Sequence, residues 1–373
     1  MKFIISLAEL KKLLGKIHNI VPQKATIPIL SNVLLEATGG DLILTATDLT
    51  VGIRSYSEAK ILEEGSTTLP ARSLAQLTRE LVTPHVEIHT NEHHITEVIA
   101  GSSRFKLLGM DKSEYPALPE LSETSQFTIP QADLKEMFFR TSFAVSREDN
   151  RYVLTGVFLK IENGKATFIG TDGKRLAKNE LGVSLDPSWK GEYIIPLKAV
   201  EEMTKNLNDE GEATIYLMPD KIAVEANQSI LITKLLSGAY PDINRIIPES
   251  METHLSLHRE ELITLLRQVS LFTSDQNQSV RFSFLNGELK LSANSSEVGE
   301  GHVTMPVNYQ GDQLDVAFNP HYFLDALRHS KKGAETLDLG IIDAYNPVVI
   351  KEEAEEKNDS SLCLIMPMRL DSQ

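Results

Sequence analysis

The sequence predicts an α+β fold repeated three times along the chain, each repeat carrying two helices packed on antiparallel sheet. Three recurring markers predict it. A strand running into an amphipathic helix occurs at Phe3-Ile4-Ile5-Ser6-Leu7-Ala8-Glu9-Leu10, at Phe127-Thr128-Ile129-Pro130-Gln131-Ala132-Asp133-Leu134 and at Leu255-Ser256-Leu257-His258-Arg259-Glu260-Glu261-Leu262. A strand, turn and helix recur at Leu69-Pro70-Ala71-Arg72-Ser73-Leu74 and Ile195-Pro196-Leu197-Lys198-Ala199-Val200, and more loosely at Phe318-Asn319-Pro320-His321-Tyr322-Phe323. An alternating strand entering a polar turn recurs at Leu44-Thr45-Ala46-Thr47-Asp48, Phe168-Ile169-Gly170-Thr171-Asp172 and Leu291-Ser292-Ala293-Asn294-Ser295. All three markers return after about 125 residues, the size of one domain. The predicted domains are 1–122, 123–250 and 251–373.

Within each third the order is strand, helix, several strands, helix, several strands. The predicted helices are 7–18, 71–82, 131–142, 197–208, 259–270 and 321–332. Period-two alternation marks strands such as Ala166-Thr167-Phe168-Ile169-Gly170 and Ala213-Thr214-Ile215-Tyr216-Leu217. Gly39-Gly40-Asp41, Asn163-Gly164 and Asn286-Gly287 supply the backbone freedom of tight hairpin turns, so the sheets are expected to be antiparallel. Linkers fit near Pro116 to Ser125 and near Pro248 to Thr253.

At 373 residues the chain exceeds one ordinary core, and its hydrophobic and charged fractions, 41% and 24%, are those of a globular protein. Cys363 is the one cysteine, which excludes an intrachain disulfide and a cysteine-built zinc site. No apolar run nears the roughly 20 residues that span a bilayer. The opening Met1-Lys2-Phe3-Ile4-Ile5-Ser6 is apolar for too short a stretch to act as a secretory signal, so the cytoplasm is the expected compartment.

The formal charge of -15 argues against nucleic acid at first sight, because DNA binding runs on Lys and Arg. Its distribution argues the other way. The six predicted helices hold fourteen basic residues, among them Lys11, Lys16, Arg72, Arg79, Lys135, Arg140, Lys198 and Arg259, against nine acidic ones. Basic helices on an acidic body suit a phosphate backbone held without reading bases, although solvated helix faces also carry such charges.

Catalytic motifs are missing. The sequence has neither a Gly-x-x-x-x-Gly-Lys-[Ser/Thr] loop nor a Gly-x-Ser-x-Gly elbow. Asp172-Gly173-Lys174-Arg175 lies between strands, without the helix N-terminus that phosphate sites use. His85, His89, His93 and His94 form the one histidine cluster, read as exposed strand histidines, and no metal or cofactor is expected. Cys363, among Leu362, Leu364 and Ile365, reads as a core thiol, and Glu352 to Asp359 as a solvated acidic loop.

Several stretches together resemble the bacterial DNA polymerase III beta subunit family. They are Pro28-Ile29-Leu30-Ser31-Asn32-Val33-Leu34-Leu35-Glu36, Thr171-Asp172-Gly173-Lys174-Arg175-Leu176-Ala177, Tyr240-Pro241-Asp242-Ile243 with Arg245-Ile246-Ile247-Pro248, and Met366-Pro367-Met368-Arg369-Leu370. The resemblance runs in order from Met1 to Leu370. It implies three clamp domains per chain and a head-to-tail homodimer closed into a six-domain ring around duplex DNA. It implies no enzymatic activity. Partners would be the polymerase III alpha subunit, the clamp-loader complex, and other polymerases and repair proteins.

By the same resemblance, a groove between the second and third domains binds partner peptides. Its positions here are Leu154, Thr171, Gly173, Lys174, Arg175, Leu176, Pro241, Arg245, Ile246, Asn319, Tyr322, Pro347, Ile365, Met366, Pro367, Met368 and Arg369. Apolar residues and adaptable Met suit such a slot, and Arg175 and Arg245 are expected to bond peptide carbonyls or an acidic side chain. DNA contacts are expected at Lys24, Arg72, Arg79, Arg151, Tyr152 and Lys198, and dimer contacts at Phe105 and Leu107 against Leu271 and Phe272. Lys174, Val153 and Glu148 depart from the family pattern: Lys174 stands where histidine is frequent, Val153 replaces an aromatic, and Glu148 adds a negative charge.

Overall fold

In the computed structural model all residues are described except 122–124, 249, 252, 275–277, 332, 353–359 and 370–373. Among the described residues six α-helices form where they are expected: α1 (Leu7–Ile17), α2 (Ala71–Glu80), α3 (Gln131–Ser142), α4 (Leu197–Asn206), α5 (Arg259–Ser270) and α6 (Pro320–Arg328). Five of them follow a strand directly, and α6 follows one after the single residue Asn319. In α1, Leu7, Leu10, Leu13, Leu14 and Ile17 recur at helical spacing and are all buried, which fixes the face laid on the sheet. Four of the helices, α1, α2, α4 and α6, end short of the predicted residue, and for α2 the reason is local. After Glu80 the chain turns extended at Leu81, and the Lys11 amine takes the carbonyls of Arg79 and Leu81 at 3.3 and 3.2 Å. α6 stops at Arg328, short of the predicted 332, and Lys332 lies outside the described residues.

The chain folds as two compact units. The first comprises Met1–Lys135 and Lys198–Leu235. It holds a five-stranded sheet ordered Lys60–Glu63, Lys2–Ser6, His85–Thr90, Ile95–Ala100, Ser103–Leu108. It also holds an eight-stranded sheet ordered Ser125–Pro130, Glu212–Leu217, Lys221–Ala226, Ser229–Lys234, Val51–Glu58, Asp41–Thr47, Asn32–Thr38, Gly65–Pro70. The second unit comprises Glu136–Leu197 and Leu236–Gln373. Its eight-stranded sheet runs Gly191–Pro196, Gly156–Glu162, Lys165–Thr171, Arg175–Gly182, Ser360–Ile365, Val348–Lys351, Thr336–Ile341, Thr253–His258. Its four-stranded sheet runs Gly299–Pro306, Glu288–Ser295, Val280–Leu285, Leu314–Phe318.

All of this pairing is antiparallel, as the hairpin turns predict. The two large sheets each join strands from successive thirds of the sequence. In the first unit Ser229–Lys234 pairs with Val51–Glu58 in the register Ser229↔Ser55 to Thr233↔Val51. In the second, Arg175–Gly182 pairs with Ser360–Ile365, from Arg175↔Ile365 to Glu180↔Ser360.

The core of the second unit centres on Phe282, Phe318 and Phe323, all fully buried, with ring centroids 4.8 to 5.1 Å apart. Each such side chain contributes about 1.5–3 kcal/mol through removal from water. Among the described residues no helix is long and apolar enough to cross a membrane.

Candidate functional site

The site grows from the turn Thr171 to Arg175, in the second unit. Thr171 Oγ1 donates to the Arg175 carbonyl at 2.6 Å and accepts from the Gly173 amide at 3.0 Å. Asp172 Oδ1 accepts from the amides of Lys174 and Arg175 at 2.9 and 3.0 Å, which closes the turn as an Asx motif. Gly173 sits at φ +83°, a conformation that favours glycine, and a Cβ there would fall onto the Arg151 guanidinium. That guanidinium donates to the Asp172 carbonyl at 2.5 Å.

From this turn the strand Arg175–Gly182 carries Leu176 into the interior beside the C-terminal strand. Ile365 is fully buried opposite Arg175 and Val348, next to buried Pro347. Met366 then turns back. Its amide donates to the Lys174 carbonyl at 2.9 Å, and the Met368 amide donates to the Ala317 carbonyl at 2.7 Å. The segment Met366 to Arg369 therefore runs from the eight-stranded sheet to the end of the strand Leu314–Phe318, tied at two points. Lys174, Met366 and Arg369 are exposed along it.

Asn319 caps α6 by accepting from the His321 amide at 2.9 Å, and Tyr322 follows one turn later. Leu154 ends the short helical turn Asp149–Leu154, and its carbonyl accepts from Ser146 at 2.9 Å. The segment from Tyr240 onward is anchored by its own side chains. Tyr240 stacks on Phe158 at 4.4 Å, and Ile243 enters an apolar cluster with Ile169, Leu176, Val349 and Leu364, against which Val153 packs. Pro241, Arg245 and Ile246 are thereby held beside that cluster, with Arg245 85% exposed and bonded to Asp242 at 3.2 Å.

Arg175 is held from within the fold. Its Nε donates to Asp172 at 3.1 Å, its Nη1 to Asp325 at 2.7 Å and its Nη2 to the Phe143 carbonyl at 2.8 Å. The guanidinium lies 4.8 Å from the Tyr322 ring centroid and 5.5 Å from that of Phe143. Three of the five guanidinium N–H groups thus have partners within the fold, which fixes where the head group sits. Sequence reasoning missed Asp325 and Phe143. The Tyr322/Asp325 spacing on one helix face was a usable signal for the first, and nothing local marks the second. Next to them His329 lies between Phe139 and Phe143, both centroids 4.4 Å away, and its Nδ1 donates to the Asp325 carbonyl at 2.7 Å.

The basic residues divide sharply. Arg72 and Arg79 are exposed on α2 seven positions apart, which puts them on one helix face, and Lys24 is exposed in its loop. Lys198, in contrast, is paired with Asp48 at 2.5 Å. Burial raises the Asp48 pKa, but hydrogen bonds from Lys198, Val51 and Thr50 outweigh it and hold the carboxyl below its ordinary value. In the second unit Arg151 and Tyr152 are exposed.

Arg140, counted among the basic helix residues, is buried on Glu136, Glu352 and Ser361. Glu352, expected in a solvated loop, is nearly buried on Arg140 and also accepts from the Lys331 amide at 3.1 Å. Residues 353–359 of that loop lie outside the described residues. Lys16 bonds the Asn227 carbonyl and Ser229 at 2.6 and 2.7 Å, and burial, with Lys12 nearby, lowers its pKa to about 8.

The four histidines do not share one strand: His93 and His94 lie in the turn that follows it, and His94 is half-buried rather than exposed, because the strand His85–Thr90 ends before them. His85 and His89 are exposed on one strand face, while His94 meets Asp111 at 3.1 Å. Burial pushes the Cys363 thiol up to about 12, which makes it unreactive. Phe105 and Leu271 are 38% and 72% exposed, with Leu107 and Phe272 half-buried.

Family models for the DNA polymerase III beta subunit match the chain in three consecutive parts: the N-terminal domain over residues 1–119, the central domain over 128–242 and the C-terminal domain over 244–369. The beta sliding clamp of Chlamydia pneumoniae is 52% identical over 370 residues, covering 99% of both chains. That of Pseudomonas aeruginosa is 31% identical and covers 99% of this chain and 100% of its own. Among solved structures, the sliding clamp of Bacillus subtilis superposes with a TM-score of 0.94 at 27% identity, covering 99% of each chain. The griselimycin-bound clamp of Pseudomonas aeruginosa does so with 0.93 at 31% identity, covering 99% of this chain and 100% of that one. With the threefold repeat and the six helices in place, these full-length matches establish that the chain belongs to the DNA polymerase III beta subunit family, the bacterial beta sliding clamps.

Proposed function

We propose that two copies of this chain join head to tail into a closed ring of six domains, 1–122, 123–250 and 251–373 from each copy, around duplex DNA. As a member of its family the chain is a DNA sliding clamp, a non-catalytic processivity factor of replication. Closure is supported by two strands that end their sheets, Ser103–Leu108 and Gly299–Pro306, whose outer sides have no partner strand among the described residues. An open edge carrying exposed Phe105 and Leu108, and exposed Leu271 at the end of α5, are ordinarily covered by a partner, and a heterologous contact that closes gives a ring. Exposed Lys24, Arg72, Arg79, Arg151 and Tyr152 supply contacts to the phosphate backbone without reading sequence, so a closed ring stays linked while free to slide. Lys198 joins them once DNA displaces Asp48.

Partner proteins dock through short peptides in the groove of the second unit. What supports this reading is the tethered segment Met366 to Arg369, tied to Lys174 and Ala317, with Ile365 paired to Arg175 and Val348 and Arg175 lying over Tyr322. Leu154, Thr171, Gly173, Leu176, Pro241, Arg245, Ile246 and Asn319 complete the proposed wall. The polymerase III alpha subunit, the clamp loader, and other polymerases and repair proteins would share it in the cytoplasm. Griselimycin, found on the Pseudomonas aeruginosa clamp, is expected to bind here as well.

Retention on DNA tests the ring. The protein is loaded with its clamp loader onto nicked circular plasmid, isolated, and half the sample is linearised. The expected result is loss from the linear half and retention on the circle. Equal release from both would overturn topological linkage.

A further inference from the structure

We infer that Asp325 and Phe143 are positioning residues of the partner groove, fixing the Arg175 guanidinium so that Tyr322 stands as a fixed wall. The inference rests on the groove reading and deepens it. An arginine at the rim of a peptide slot ordinarily offers its forked donors to the ligand. Here Asp172, Asp325 and the Phe143 carbonyl engage Nε, Nη1 and Nη2, and the side chain is only 12% exposed. The guanidinium plane meets the Tyr322 ring at 4.8 Å and the Phe143 ring at 5.5 Å, so one charge braces both aromatics.

The chain of contact is short. Asp325 lies one turn beyond Tyr322 on α6, so its bond to Arg175 sets both the rotation of that helix and the seat of the tyrosine ring. Phe143 holds Arg175 from the end of α3 and is itself stacked on His329, whose Nδ1 returns to the Asp325 carbonyl. The loop of contacts Arg175, Asp325, His329, Phe143 is closed. A ligand therefore meets Tyr322 and Arg175 in positions already set by Asp325 and Phe143, so the shape of the groove at this end is fixed before anything binds.

The test is a double-mutant cycle read by anisotropy, using a labelled synthetic peptide from the C-terminal tail of the organism's own polymerase III alpha subunit. Asp325→Asn keeps the side chain's shape and removes its charge, and is expected to weaken binding about tenfold, while in a Tyr322→Ala background the same change costs almost nothing. Asp325→Glu, which restores a carboxylate, is expected to recover part of the loss. Wild-type affinity in Asp325→Asn, or an equal loss in the two backgrounds, would overturn the inference. A Met366→Arg variant separates the two levels. If it binds the peptide like wild type, the groove reading itself is wrong and the inference goes with it. If Met366→Arg weakens binding and Asp325→Asn does not, only the positioning role is lost.

Discussion

At the scale of single residues, the fold uses charge for positioning more than the sequence advertises. Arg175 is the clearest case, since its guanidinium is bonded within the fold at every nitrogen. His329 is a second. Burial between two phenyl rings lowers its pKa below the ordinary 6.5, with Arg175 and Arg328 adding to the effect and the Asp325 carbonyl and carboxylate opposing it. The unfolded chain therefore takes up a proton as pH falls through 6.5, where the folded chain still resists it. Stability from this residue is complete above that value and declines as pH falls toward the lowered one. Urea titrations at about pH 7 and about pH 5 should show a smaller loss in His329→Phe than in wild type, and an unchanged difference would mean His329 does not titrate with unfolding. At Gly173, an alanine would have to hold φ +83° beside Arg151, so Gly173→Ala should cost about 1 kcal/mol of stability and weaken peptide binding.

At the scale of elements, Arg140 links α3 to the C-terminal strands. Its Nη1 bonds Glu136 at 3.3 Å and its Nη2 reaches Glu352 and Ser361, while its carbonyl accepts from Asn179 at 3.3 Å. Removing it strands Glu352 without its counter-charge, so Arg140→Ala should destabilise by about 3–5 kcal/mol in denaturant titration, more than a surface arginine would. This is also where the sequence misleads. Counting charges on predicted helices treats Arg140, Lys11 and Lys16 as surface, yet each is spent on an internal partner. The helices themselves were legible, because leucines at helical spacing follow strands that end at Ser6, Pro130 and His258. The Thr171 to Arg175 turn was legible too, since its Asx chemistry is local. Asp325 and Phe143 were not, because their role exists only after distant elements meet Arg175.

At the scale of the whole molecule, the repeat was visible in spacing but its joining was not, since sheet register is set by long-range packing. The proposed ring makes a direct demand on the free edges. Phe105→Arg should leave the fold intact, because the ring is already 38% exposed, while shifting the light-scattering mass toward a single chain and abolishing retention on circular DNA. Peptide binding in the second unit should survive. A variant that kept the mass of two chains would place the dimer contact elsewhere.

The strand Ser229–Lys234 lies beside Val51–Glu58 through five successive residue pairs, from Ser229↔Ser55 to Thr233↔Val51. A fragment cut at residue 122 would bare that flank, where Val51 and Ile53 are almost wholly buried. Such a piece would present a ready template for stacking onto its own copies and should be recovered as aggregate. The repeats are thus not detachable beads. Each one finishes the surface of its neighbour.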